Sequence, residues 1–133
     1  MIAGVVASSL EPILSLTVRG PTGRECLVPF VVDTGYSGEI LMPPHLIEAL
    51  DLKWVRADFA ELADGSEIEH RVFAAEVDWD GIIIQVAVDE ADTVPLLGTK
   101  RIRGYELTAQ MRPHGKLTLK KLPPKRTSKK RKP

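Results

Sequence analysis

One cysteine, Cys26, stands alone among 133 residues, so neither an intrachain disulfide nor a thiolate metal cluster can form. It lies in a strand-like run with no histidine partner, and it reads as a small buried apolar residue rather than a nucleophile. Histidine is almost as scarce. His45, His70 and His114 lack ligand spacing and fall in a helix start, a charged hairpin and a turn, so they read as surface side chains, and no metal or other cofactor is expected. Long apolar runs are missing too: nothing approaches the roughly 20 residues that cross a bilayer. No Lys or Arg precedes Arg19, and Glu11 and Pro12 interrupt the mildly apolar start, which argues against a secretory signal. The expectation is a cytoplasmic protein with no membrane partner. Aromatic residues make up only 5%, and Trp54 and Trp79 are expected in the core or an interface rather than as substrate platforms.

The chain also lacks net charge: 18 basic residues balance 18 acidic ones. That zero joins two unlike parts. Residues 1 to 119 hold 10 basic and 18 acidic side chains, whereas residues 120 to 133 hold 8 basic and no acidic ones. The length suits one domain, which we place at residues 1–122, followed by a disordered basic tail at 123–133. Such a tail reads as a solvated extension or a weak contact to nucleic acid or an acidic partner. It also has the charge to fold back on the acidic body.

What is present is a succession of short apolar runs between turn residues, which predicts a mostly β domain. Ile13 to Val18 and Glu25 to Val32 flank Gly20-Pro21-Thr22-Gly23 as a hairpin. Prolines 43 and 44 open a helix of about two turns through Leu46, Ile47 and Leu50. A second hairpin turns at Ala63-Asp64-Gly65-Ser66, and its charged arms are expected to project into solvent. A strand pair follows around Asp80-Gly81, then a short buried strand ending in Leu96-Leu97-Gly98, a helical turn over Thr99 to Gly104, and strands at Tyr105 to Met111 and Lys116 to Leu122. No internal repeat is visible.

One segment departs from generic sheet: Phe30-Val31-Val32-Asp33-Thr34-Gly35-Tyr36-Ser37-Gly38. An apolar strand runs into an acid, a hydroxyl and a glycine, placing Asp33 at the edge of the core. Two carboxyls a few ångströms apart can share a proton, one activating water while the other polarises a carbonyl. That chemistry needs a pair, and this chain supplies one copy.

The segment resembles the active-site loop of aspartic peptidases, and the rest of the chain resembles their single-lobed retroviral branch, in particular its prokaryotic retropepsin-like members. Leu96-Leu97-Gly98 fits the family's second signature, expected beneath the active-site loop and about sixty residues after it. The resemblance covers about residues 10 to 120. It implies a small closed β-barrel-like acid protease fold with one or two short helices and one lobe per chain. It implies Asp33 as the catalytic residue, with Thr34, Gly35 and Ser37 supporting the loop and Asp64, Gly65 and Ser66 at a flap tip. It further implies a homodimer in which each protomer contributes one Asp33, acting on protein or peptide substrates. Leu117 and Leu119 make the last strand a candidate for pairing at that dimer's interface. Where the retroviral enzymes carry an ion-paired Asp and Arg, this chain has Ser37 and Thr99, which reads as replacement of a salt bridge by a neutral contact. The alternative function is a catalytically silent retropepsin-like dimer acting as a binding or assembly module.

Overall fold

Alternation of buried and exposed residues organises the strands. In the computed structural model, which describes residues 1–125, strand β2 (Pro12–Arg19) buries Leu14, Leu16 and Val18, and β3 (Glu25–Val32) buries Val28, Phe30 and Val32. Antiparallel pairing sets Leu14 opposite Phe30 and Leu16 opposite Val28, so both inner faces point the same way. The turn between them closes on Gly23 at φ 90°, a left-handed conformation that glycine takes without steric cost.

The remaining strands are β1 (Ile2–Val6), β4 (Ile40–Met42), β5 (Lys53–Glu61), β6 (Glu67–Trp79), β7 (Ile82–Glu90), β8 (Leu96–Leu97), β9 (Tyr105–Ala109) and β10 (Lys116–Lys121). Six of the ten close a barrel. β3 pairs with β8, β8 with β4, β4 with β7 and β7 with β6, and β6 returns to β2 through Val18↔Val77 and Arg19↔Glu76. Phe30, Leu14, Ile40, Met42, Val77, Val88 and Leu97 fill it, all essentially inaccessible, and no polar or charged residue is fully buried among the described residues. Helix α1 (Pro44–Ala49) covers the core with Ile47, and α2 (Thr99–Ile102) does so with Ile102. The chain is thus mostly β, a closed barrel with two short helices. No helix among the described residues is long and apolar enough to cross a membrane.

Several expectations change. The first strand, β1, carries no polar–apolar alternation in its sequence, Ile-Ala-Gly-Val-Val, although in the fold Ile2, Gly4 and Val6 turn inward and Ala3 and Val5 are exposed. It forms because it fits between β10 (Ile2↔Leu119), a pairing remote in the chain, and β2 (Val5↔Ile13), its neighbour in sequence. For the same reason β10 is not available to a partner strand: β1 and β9 occupy both its edges, and Leu117 and Leu119 are buried within the protomer. The hairpin and the strand pair after it share one 13-residue strand, β6, whose first part pairs with β5 and whose second part pairs with β7 and β2. Cys26 is exposed, not buried. It has the same strand parity as Val28, Phe30 and Val32, but there β3 has run past the end of the barrel core. Trp79 is buried, whereas Trp54 is more than half exposed on β5, a strand exposed along its whole length. The basic tail lies outside the described residues from residue 126 onward, and its residues 123–125 have no regular structure.

Candidate active site

The site begins where β3 leaves the barrel. Val32 is the last buried residue, and Asp33 follows, half-exposed at the rim. β8 runs parallel to β3 with Val32 opposite Leu97, and its flanks hold the exit: Val31 N–H donates to the Pro95 carbonyl (3.0 Å) and Asp33 N–H to that of Leu97 (2.9 Å). Beyond this the chain turns on itself. Gly35 N–H donates to Asp33 Oδ1 (2.8 Å) and Tyr36 N–H to the Asp33 carbonyl (3.1 Å), leaving Thr34 and Gly35 exposed. An aspartate whose carboxylate caps its own turn is pinned in orientation at one oxygen, and the other oxygen remains for chemistry.

Leu96, Leu97 and Gly98 lie against this loop. Gly98 N–H donates to the Glu39 carbonyl (2.9 Å), and a Cβ on Gly98 would collide with the Gly38 carbonyl oxygen. Thr99 donates to the Tyr36 carbonyl through its N–H (2.9 Å) and its hydroxyl (3.3 Å). Ser37 is exposed and lines a groove rather than meeting Thr99. The neutral contact expected between these two is therefore absent, and an ion pair stands two residues further along each segment. Glu39 Oε1 meets the Arg101 guanidinium at 3.1 Å, while Glu39 Oε2 accepts the Ala87 N–H at 2.8 Å. Arg101 also lies 4.9 Å over the Trp79 ring. The Ala87 N–H and the aromatic face offset part of the lost water, while Arg101 Nε is buried without a hydrogen-bond partner.

The hairpin β5–β6 turns at Asp64-Gly65-Ser66. Asp64 Oδ1 accepts from the Ser66 N–H (2.9 Å) and hydroxyl (2.5 Å), and Gly65 sits at φ 84°. Those two bonds, the hydroxyl's first, hold the Asp64 carboxyl below its usual range. Between this hairpin and the Tyr36–Glu39 segment runs a groove of about 790 Å³, lined by Ser37, Phe59, Ile68, His70, Arg71 and Asp89 among others. Asp33 is not part of that lining, which takes up the loop only from Tyr36 onward.

Sequence reasoning missed the groove's own polar cluster. The Tyr36 hydroxyl lies 2.5 Å from Asp89 Oδ2 and 3.0 Å from the Ile40 carbonyl, and His70 Nε2 lies 3.2 Å from Asp89 Oδ1. Burial, and then the Asp89 bond, push the Tyr36 phenol far above its ordinary range, so it stays protonated. His70 is thus half-buried rather than a free surface side chain. The available signal was Asp89 itself, an acid closing the apolar run of β7 much as Asp33 closes that of β3. Among the described residues no three His, Cys, Asp or Glu side chains are grouped to hold a metal ion.

No protein-family model matches the chain, and no curated protein matches it. Solved structures do, among them the EIAV protease complexed with the inhibitor HBY-793, at a TM-score of 0.54 and 15% identity over 70% of this chain and 86% of that one. At that identity the likeness shows the fold, which is retropepsin-like.

Proposed function

We propose that the chain is an aspartic endopeptidase that works as a homodimer, with Asp33 of each protomer meeting its twin at the two-fold axis. The observation that carries the reading is the Asp33 turn. It emerges from the core of a retropepsin-like barrel, has one carboxylate oxygen tied to Gly35, and is flanked by the exposed Thr34 and Gly35. One protomer has a single such carboxyl, so the second must come from another copy, and isologous pairing brings like residues together. Of two adjacent carboxyls one stays ionised and the other protonated. The ionised one takes a proton from water as the oxygen attacks the peptide carbonyl, and the protonated one gives its proton to the carbonyl oxygen. Collapse of the tetrahedral diol then breaks the C–N bond as the protonated carboxyl gives its proton to the leaving nitrogen and the ionised one takes a proton from a diol hydroxyl, restoring the pair.

In this reading Thr34, Gly35 and Ser37 shape the loop, Leu96, Leu97 and Gly98 support it from beneath, and Asp64, Gly65 and Ser66 tip the hairpin that covers a bound peptide. The prokaryotic branch of the family is supported by the sequence pattern alone. Asp33→Asn replaces both carboxyls of the dimeric site by amides of the same shape. It is expected to lower cleavage of unfolded casein at mildly acidic pH by at least about a hundredfold, the lower bound for general acid–base catalysis, while sedimentation still shows a dimer. Undiminished cleavage by that variant overturns the assignment, and a dimer that is intact but inert in the wild type favours the silent binding module.

A further inference from the structure

Asp89 is held from two sides. Its Oδ2 meets the Tyr36 hydroxyl in the loop that starts at Asp33, and its Oδ1 meets His70 on the hairpin. The tyrosine sits in a fitted slot. A Cβ on Gly38 would stand 2.6 Å from Tyr36 Cζ and 2.7 Å from Asp89 Oδ2, and one on Gly98 would stand 2.6 Å from Tyr36 Cδ2. From the ring the connection continues in backbone: Tyr36 N–H holds the Asp33 carbonyl, and Asp33 Oδ1 holds Gly35 N–H. Displacing the phenol therefore disturbs the closed turn that orients Asp33.

On the other side, β6 pairs with β7 only from Val72 onward (Val72↔Asp89), so His70 and Arg71 mark the point where the hairpin leaves the barrel. Two side-chain links fasten it there, His70 to Asp89 and Arg71 to Glu90, the latter bidentate at 2.7 and 2.8 Å. The charges facing this spot come from every adjoining segment. Glu90 is matched by Arg71 on β6 and Glu39 by Arg101, and on β5 Asp58 lies opposite His70 with Arg56 3.7 Å away. Glu69 and Lys100 border the groove. Of all these residue types, histidine alone ordinarily changes charge between about pH 5 and 8.

We propose that His70, Asp89 and Tyr36 are positioning residues that link the hairpin to the Asp33 turn, with the charge on His70 setting how firmly the link holds. Charged His70 makes a charge-assisted bond to Asp89 and seats the hairpin base, and neutral His70 loses the Coulombic part of it. Peptide binding under the hairpin is then tighter in acid. The kinetic consequence rests on the peptidase reading, whereas the link itself does not.

Two measurements on the full-length chain separate them. In the ligand-free protein, NMR titration is expected to show the amides of Gly35, Tyr36 and Ser37 moving with the midpoint of the His70 ring, and that movement disappearing in Tyr36→Phe while His70 still titrates. Loop amides that stay flat through the His70 titration, or that follow it unchanged in Tyr36→Phe, overturn the link. With unfolded casein, KM is expected to rise about fivefold from roughly pH 5 to 8, the lower end of coupling between linked sites, and to lose that rise in His70→Gln and Asp89→Asn. A pH dependence of KM that is the same in wild type and His70→Gln overturns the kinetic part. If Asp33→Asn cleaves as well as wild type, the peptidase reading fails, and the amide titration still decides the link.

Discussion

Gly98 and Gly65 are both glycines in the loops that matter, yet the reasons for them differ. Around Gly98 there is no space: a methyl group would meet the Gly38 carbonyl and the Tyr36 ring, both on the Asp33 loop. Around Gly65 there is nothing within 4 Å, and only its φ of 84° favours glycine. Gly65→Ala is therefore expected to cost about 1–2 kcal/mol, the penalty of a left-handed L-residue. Gly98→Ala is expected to cost about 3 kcal/mol or more, because backbone must move. Urea unfolding of the two variants checks the order, and a milder loss at Gly98 would contradict the packing described. Tyr36 makes a second case. A phenol whose folded-state pKa lies above its unfolded value of about 10 contributes stability that is complete below that value and is lost as pH rises beyond it. The phenolate absorbance of Tyr36, taken as wild type minus Tyr36→Phe, should be missing at about pH 11 and emerge only with loss of the β-sheet circular dichroism. Ordinary titration of Tyr36 in the folded protein would mean that the Asp89 bond is not made in solution.

Among the elements, the hairpin β5–β6 is the one built with least burial. All nine residues of β5 are exposed, and exposed Phe59, Leu62 and Ile68 give its outer part apolar surface with little to cover it. β2 and β3, by contrast, bury Leu14, Leu16, Val18, Val28, Phe30 and Val32 between them and are each paired on both edges. Local opening free energy follows such burial. Backbone amides from 57 to 69 should accordingly exchange at least about a hundredfold faster than those of Leu14, Leu16 and Phe30, measured by native-state hydrogen exchange. Equal protection across the two hairpins would show that the outer hairpin is covered in solution, as it would be by a tightly held partner. A hairpin that opens readily would suit the proposed peptidase, since substrate has to enter before water is excluded.

At the scale of the whole molecule the charge is divided, with an excess of 8 acidic residues in 1–119 and 8 basic residues in 120–133. The groove shares the body's sign: Glu39, Asp58, Glu69, Asp89, Glu90 and Asp92 line it against Arg56, Arg71 and Lys100. Fields of this sort act over roughly a Debye length, about 8 Å at physiological salt. Peptides carrying Lys or Arg should be cleaved with higher kcat/KM than matched peptides carrying Asp or Glu, and the ratio should shrink toward one as salt rises to about 1 M. A ratio indifferent to salt would assign any preference to shape instead.

Much of the framework was legible because its signals are local. Alternating burial in β2 and β3, the turns at Gly23 and Gly65, and the proline-led helix α1 depend on neighbours a few residues away, and side-chain period and turn chemistry are written at that range. The Asp33-Thr34-Gly35 motif was equally readable, with an apolar strand on one side and glycine on the other. Barrel closure decided the rest. Tyr36 and Asp89 are 53 residues apart, Glu39 and Arg101 are 62 apart, and each pair meets only because strands β3, β8, β4 and β7 stack in one register. Cys26 has core parity but lies beyond the core's end, and β10 finds both edges filled inside its own protomer. By itself the sequence determined which residues could face inward and where the chain had to turn. Where the barrel ends, which strands are neighbours and which charges meet were decided by the tertiary structure, because those depend on how far each strand extends against partners that are remote in the chain.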